Sequence, residues 1–163
     1  MYISYGELCT EFYDISKPLG FSFGDVEYYK ERLSDVKGKV LEVGCGSGRV
    51  LIPLLQAGLQ IDGLDNSSAM LDSSRRRFSA LNLNPMLFNA EMHNFSLRDK
   101  YESIIIPGGS FQLIEGREQT LTALNHFYNY LQPGGRLILD LFIPTDLNTS
   151  SVSNRSGIPQ ITK

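Results

Sequence analysis

The chain has 163 residues, a formal net charge of −3 and 42% hydrophobic residues. That length suits one domain with a core of two or three layers, and the acid excess, with no sustained basic run, argues against electrostatic capture of nucleic acid or an anionic membrane. Cys9 and Cys45 are far apart and have no CxxC or Cys/His partner, which indicates neither a disulfide framework nor a zinc site and fits a reducing, cytoplasmic compartment.

The N-terminus, "MYISYGELCTEFYDI", carries acids where an export signal needs a basic start and an apolar run, and no stretch approaches transmembrane length. The aromatic-rich "TEFYDISKPLGFSFG" reads as a lid, and "GDVEYYKERL" has helical spacing. Residues 1–37 are therefore assigned to an N-terminal helical and lid segment of a single domain.

From residue 38 the pattern alternates. The short apolar runs "KVLEVG", "LQIDGLD", "PMLFNAE", "YESIIIP" and "RLILDLFI" are separated by the helical stretches "GRVLIPLLQAG", "SSAMLDSSRRRFSALN" and "EQTLTALNHFYNYLQPGG". Continuous apolar strands alternating with helices predict an α/β fold: a Rossmann-like, doubly wound, mostly parallel sheet with helices on both faces. Gly58 is placed as a helix C-terminal cap, Ser67 as an N-cap and "QPGG" as a helix stop. Pro53 predicts a short or kinked first core helix, because it lacks an N–H beyond the first turn. Arg75–Arg76–Arg77 reads as a solvated helix face, and His126 as a partly exposed residue of an amphipathic helix. Residues 38–146 form the core, and the polar, serine- and asparagine-rich stretch 147–163 reads as a flexible tail.

"VLEVGCGSG" ends a strand in Gly44, Gly46 and Gly48. Such a bend brings bare backbone N–H groups and a helix N-terminus up to a ligand, although glycines alone leave a ligand-free turn open. Asp65 ends the next strand 21 residues after Gly44, near the spacing at which an acid accepts hydrogen bonds from ribose hydroxyls. The third glycine or alanine of the dinucleotide fingerprint is replaced by Arg49. Glu42 places a negative charge beside the bend, which repels a pyrophosphate and suits a ligand presenting an ammonium and a sulfonium.

Taken in order, "VLEVGCGSGR", "IDGLDNSSAML", "NAEMHNFSL", "YESIIIPGGSFQLI" and "LQPGGRLILDLF" resemble the class I S-adenosylmethionine-dependent methyltransferase family in its bacterial small-molecule branch, over residues 10–146. The resemblance implies S-adenosylmethionine as cofactor and a small-molecule acceptor. It places Gly44, Cys45, Gly46 and Gly48 under the methionine half, Glu42 facing the amino group, Asp65 and Asn66 at the ribose, and Ser67 and Met70 near ribose and adenine. Glu91 stands where the family usually has an aspartate that meets the adenine amino group, with Met92 beside the ring. Ile106 to Phe111 would line the sulfonium and the acceptor.

Methyl transfer from a sulfonium needs alignment more than a triad, and a general base only where the acceptor must lose a proton. The candidate catalytic residues are Tyr13, Ser110 and His93. Among Tyr5, Phe12, Tyr13, Phe21 and Phe23, cation–π closure over the sulfonium is expected chiefly of Tyr13. Cys45 reads either as a reactive thiol near a helix N-terminus or as a small residue tolerated in a tight turn. "PGGSF" lacks the aromatic-proline signature of nucleic-acid amino methyltransferases.

The family's sheet has seven strands, and this sequence carries five. The chain is expected to lack the last two, leaving "RLILDLFI" at an open edge and favouring a homodimer or poor solubility. Two rivals to the methyltransferase reading are a truncated, non-catalytic cofactor-binding module and a nicotinamide-dependent oxidoreductase, the latter disfavoured by Arg49 and Glu42.

Overall fold

The computed structural model describes residues 5–143 and the backbone of residues 161–162. The elements run in the order α1 (Glu7–Ser16), α2 (Asp25–Arg32), β1 (Val40–Val43), α3 (Leu51–Gln56), β2 (Ile61–Asp65), α4 (Ser68–Ala80), β3 (Leu87–Asn89), β4 (Tyr101–Ile106), a 3₁₀ turn (Ser110–Leu113), α5 (Arg117–Tyr130), β5 (Leu131–Leu139) and β6 (Ile161–Thr162). The sheet order is β3-β2-β1-β4-β5-β6. β1 to β5 are mutually parallel, and β6 pairs antiparallel with β5. The α/β, doubly wound expectation holds.

The strands alternate between two cores because successive side chains leave a strand on opposite faces. Val40, Ile61, Ile105 and Ile138 pack with α2, α3 and α4, whereas Leu41, Val43, Leu64, Ile104, Ile106 and Leu137 pack with Ala123 and Phe127 of α5. Burial on both faces is what makes the strands read as unbroken apolar runs. The period of two also fixes Glu42: flanked by Leu41 and Val43 on the α5 face, it must point to the α2/α3 side.

Local chemistry explains the helix ends. Ser67 caps α4 by accepting the Met70 N–H at 3.1 Å, and Gly58 adopts φ 91° just after α3. Pro53 falls in the first turn of the short α3, where no intrahelical N–H is missed. α2 has Asp25 and Glu27 in its first turn and Lys30 and Arg32 in its last, matching the helix dipole.

Several expectations are corrected. α5 ends at Tyr130, and "QPGG" belongs to β5, bulging out between the pairings Tyr101↔Leu131 and Ser103↔Arg136. The sheet continues into β6, which pairs with Arg136 and Leu137, so that part of the β5 edge is covered and Ile161–Thr162 form a strand where a tail was expected. The rest of the expected tail lies outside the described residues. Within the arginine cluster, Arg77 turns inward to Asp14 at 2.8 Å and to Ser47, leaving only part of the cluster as a solvated face. α1 docks on α4 through Thr10, Asp14 and Ser73, which turns Leu8, Phe12 and Ile15 outward to solvent.

Candidate cofactor site

The strand order reverses between β1 and β4, the place where open α/β sheets form a crevice beyond their carboxyl ends. A cavity of about 1220 Å³ occupies it. Small-molecule pockets commonly span about 300–1,000 Å³, so this one has room for two ligands side by side.

One wall is the turn after β1. Gly44, Gly46 and Gly48 have φ of 75°, 53° and 87°, a left-handed backbone that side chains strain. A Cβ on Gly44 would lie 2.9 Å from the Ser110 side chain, so the turn and the loop after β4 are in close approach. Gly46 N–H donates to Asp65 Oδ2 and Ser67 N–H to Asp65 Oδ1, both at 2.8 Å. Burial nevertheless raises the Asp65 pKa above its usual value, with these amides acting against the rise. Each carboxylate oxygen keeps a lone pair for a further donor.

Glu42 is 2% exposed and lines the cavity, and its Oε2 is buried without a hydrogen-bond partner among the described residues. Burial pushes its pKa well above the usual carboxylate value, and the nearby Arg49 charge only partly counters this. A buried carboxylate facing a cavity unpaired is costly unless a donor or cation meets it there.

Arg49, 6% exposed, gives both terminal nitrogens to Asp25 at 2.9 and 2.5 Å and lies 5.3 Å from the Phe23 ring centroid. The residue that breaks the dinucleotide fingerprint is thus the tie between the turn and the N-terminal helices. Tyr29 and Asp140, both missed by sequence reasoning, form a second tie: Tyr29 Oη donates to Asp140 Oδ1, and Asp140 Oδ2 accepts the Gly108 N–H, each at 2.9 Å. Asp140 sits in the apolar run of the fifth strand, and an acid at a strand's carboxyl end was its only sequence signal.

The other predicted residues divide. Cys45, Asn66, Met70, Glu91, Met92, His93, Tyr13 and Ser110 line the cavity with Glu42, Gly44, Gly46 and Asp65. Ile106 does not: it is fully buried in the α5-side core, because the strand's alternation turns it away, and Pro107 to Ser110 supply the lining instead. Phe111 likewise packs toward Phe127. Gly48 faces Ile52 and Ser74 and serves the turn itself. Cys45 is buried, its thiol pKa is pushed up by burial, and its Sγ rests against Gly63, which is the small turn residue and not the reactive thiol. Of the aromatics, Tyr5, Tyr13 and Phe23 line the cavity, whereas Phe12 faces solvent. The Glu91 side chain is 56% exposed and pairs with His93 Nε2 at 3.1 Å.

A glycine turn at the switch point, an acid ending β2 and an unpaired buried acid below the turn thus line one cavity of an α/β domain. The chain belongs to the methyltransferase-domain family, whose model matches residues 40–135. It is 24% identical over 153 residues to the cypemycin N-terminal methyltransferase of Streptomyces sp, covering 93% of this chain and 62% of that protein. It is 27% identical over 116 residues to the dTDP-3-amino-3,6-dideoxy-alpha-D-glucopyranose N,N-dimethyltransferase of Streptomyces fradiae, covering 71% of this chain and 44% of that enzyme. The chain therefore spans less than two thirds of the length of these curated relatives. Its fold matches that of the glycopeptide N-methyltransferase MtfA, solved with S-adenosylmethionine, at a TM-score of 0.70 and 21% identity, over 86% of this chain and 65% of that one.

Proposed function

We propose that the domain binds S-adenosylmethionine and transfers its methyl group to a small-molecule acceptor, in the cytoplasm. The observation that carries this reading is the buried, unpaired Glu42 carboxylate facing the cavity beneath the glycine turn. The residues present fit the cofactor: Glu42 receives the ammonium, the Gly44–Gly46 backbone admits the methionine half, and Asp65 accepts from the ribose hydroxyls. Met70 and Met92 offer apolar surface to the adenine, with Glu91 beside it. The bound cofactor supplies an electrophilic methyl on sulfur.

The chain's own residues then orient the acceptor and exclude water. Tyr13, whose pKa burial raises, keeps its hydroxyl proton at neutral pH and acts as a hydrogen-bonding group. Ser110 Oγ donates to the Pro107 carbonyl at 2.9 Å and so presents a lone pair to the cavity. His93, with Nε2 engaged by Glu91, has Nδ1 as the atom that can take a proton. Asp140, Glu91 and Glu115 outnumber Lys17 among the charged groups around the outer cavity, a balance that favours an amine acceptor over an anionic one or a nucleic acid. The N-methyltransferase names of the two relatives support an amine as the methylated group.

The primary test is calorimetric titration with S-adenosylhomocysteine. The wild-type chain is expected to bind, and Asp65→Ala to lose at least about 100-fold in affinity, because the ribose acceptor goes and two loop amides lose their partner. No binding by a demonstrably folded wild-type chain would overturn the cofactor reading. We also propose that the β5 edge outside the Arg136–Leu137 pairing with β6 mediates a homodimer. Light scattering at micromolar concentration is expected to give twice the chain mass, and a monodisperse monomer would rule this out.

A further inference from the structure

We propose that helix α2 is a strut fixing the separation between the two glycine-bearing walls of the cavity, with Asp25 and Tyr29 as positioning residues. The ladder between β1 and β4 ends at the pair Glu42↔Ile105, and beyond it the two strands lead into separate turns at the switch point. The sheet therefore stops holding the walls together just where the cavity begins. α2 takes over that task. Asp25 and Tyr29 are four residues apart, on one side of the helix. Asp25 grips the Arg49 guanidinium through both oxygens, and Arg49 directly follows Gly48 of the first wall. Tyr29 reaches the second wall through Asp140, which holds the Gly108 N–H.

The strut is itself anchored. Val26, Tyr29 and Leu33 are buried in the core on that face of the sheet, and Asp25 Oδ1 also accepts the N–H groups of Phe23 and Val26 at 3.2 and 3.0 Å. Gly108 and Gly109 both adopt left-handed φ, 65° and 71°, so the start of the second wall has glycine's conformational freedom, and Asp140 restrains it at the Gly108 N–H. Two independent ties on one rigid helix predict separable effects: breaking the Asp25 end loosens the cofactor wall, and breaking the Tyr29 end loosens the acceptor wall. This separation rests on the proposed function only for its cofactor arm.

The experiment uses the full chain, with Tyr29→Phe and Asp25→Asn read by amide hydrogen exchange at Gly108 and Gly46 and by calorimetry with S-adenosylhomocysteine. Tyr29→Phe is expected to speed Gly108 exchange about tenfold, leaving Gly46 exchange and the affinity unchanged within about twofold. Asp25→Asn is expected to weaken S-adenosylhomocysteine about tenfold and leave Gly108 exchange unchanged. Should Asp25→Asn fail to fold, the Asp25→Asn/Arg49→Gln double variant, which removes both partners of the Asp25–Arg49 pair together, carries the same expectation. Equal shifts of both readouts in both variants would mean that α2 only stabilises the fold, and an unchanged Gly108 amide in Tyr29→Phe would equally overturn the strut. A wild type that does not bind would defeat the cofactor reading, while Gly108 exchange would still decide the strut.

Discussion

Replacing Glu42 with glutamine is expected to make the ligand-free protein more stable near neutral pH and the liganded protein weaker. The buried carboxylate has no partner for Oε2 among the described residues, and relieving such a buried charge is worth about 1–3 kcal/mol. The sign of the pH dependence follows from the raised pKa. Below the usual value of 4.5 the folded and unfolded chains are both protonated and the wild type keeps its full stability. As pH rises through the window between that value and the higher folded pKa, the unfolded chain has released a proton that the folded chain still holds, and stability falls. Glutamine does not titrate, so the advantage of Glu42→Gln should grow across that window and vanish in acid. S-adenosylhomocysteine should bind the variant about 10- to 100-fold more weakly, the size of a lost charge-assisted hydrogen bond. Melting temperature against pH, with and without the ligand, reads both effects. A variant less stable than wild type at neutral pH, or one that binds equally well, contradicts the role given to Glu42.

The second large effect is expected at Gly63, in the middle of β2. A Cβ there would lie 2.8 Å from Cys45 Sγ, Leu51 Cδ2 and Leu87 Cδ2 at once, so the missing side chain is the seat on which the glycine turn, α3 and β3 close. Cys45 and Leu51 are buried, which leaves only the partly buried Leu87 with room to give way. Gly63→Val should cost about 3 kcal/mol or more by overpacking, lowering the melting temperature by roughly 6–12 °C in a domain of this size. It should also abolish cofactor binding, because Cys45 can move only by carrying the turn with it. A variant with wild-type melting temperature would show that the turn yields more readily than its packing suggests.

Much of this architecture was legible in the sequence because it is local. The runs at Val40–Val43, Ile61–Asp65 and Tyr101–Ile106, the cap at Ser67 and the early Pro53 each follow from a few neighbouring residues, and the spacing of the glycine turn and Asp65 announced one wall of the cavity. Residues whose role depends on distant partners were not legible. Arg49 could be read as a departure from a fingerprint, but not as the mate of Asp25, 24 positions away. The Tyr29–Asp140 bond joins residues 111 positions apart, and no periodicity encodes such a pair. Ile106 was misplaced for a simpler reason: a motif fixes which segment reaches a site, and the strand's alternation then decides which side chains face it. Glu91, placed at the adenine by resemblance, is engaged by His93, two residues along.

The two ends of the cavity differ in how freely they can change over evolutionary time. At the inner end, Glu42, Cys45 and Arg49 are buried, with Cys45 packed in the core and Arg49 held by Asp25 of α2. At the outer rim, Leu113, Phe142 and Ile143 line the same cavity yet remain exposed, so exchanging them sacrifices little packing. On the proposed function, lineages descended from such a domain can drift in the acceptor they take while the inner end stays unaltered, and a laboratory search for new acceptors should spend its diversity on those three positions first.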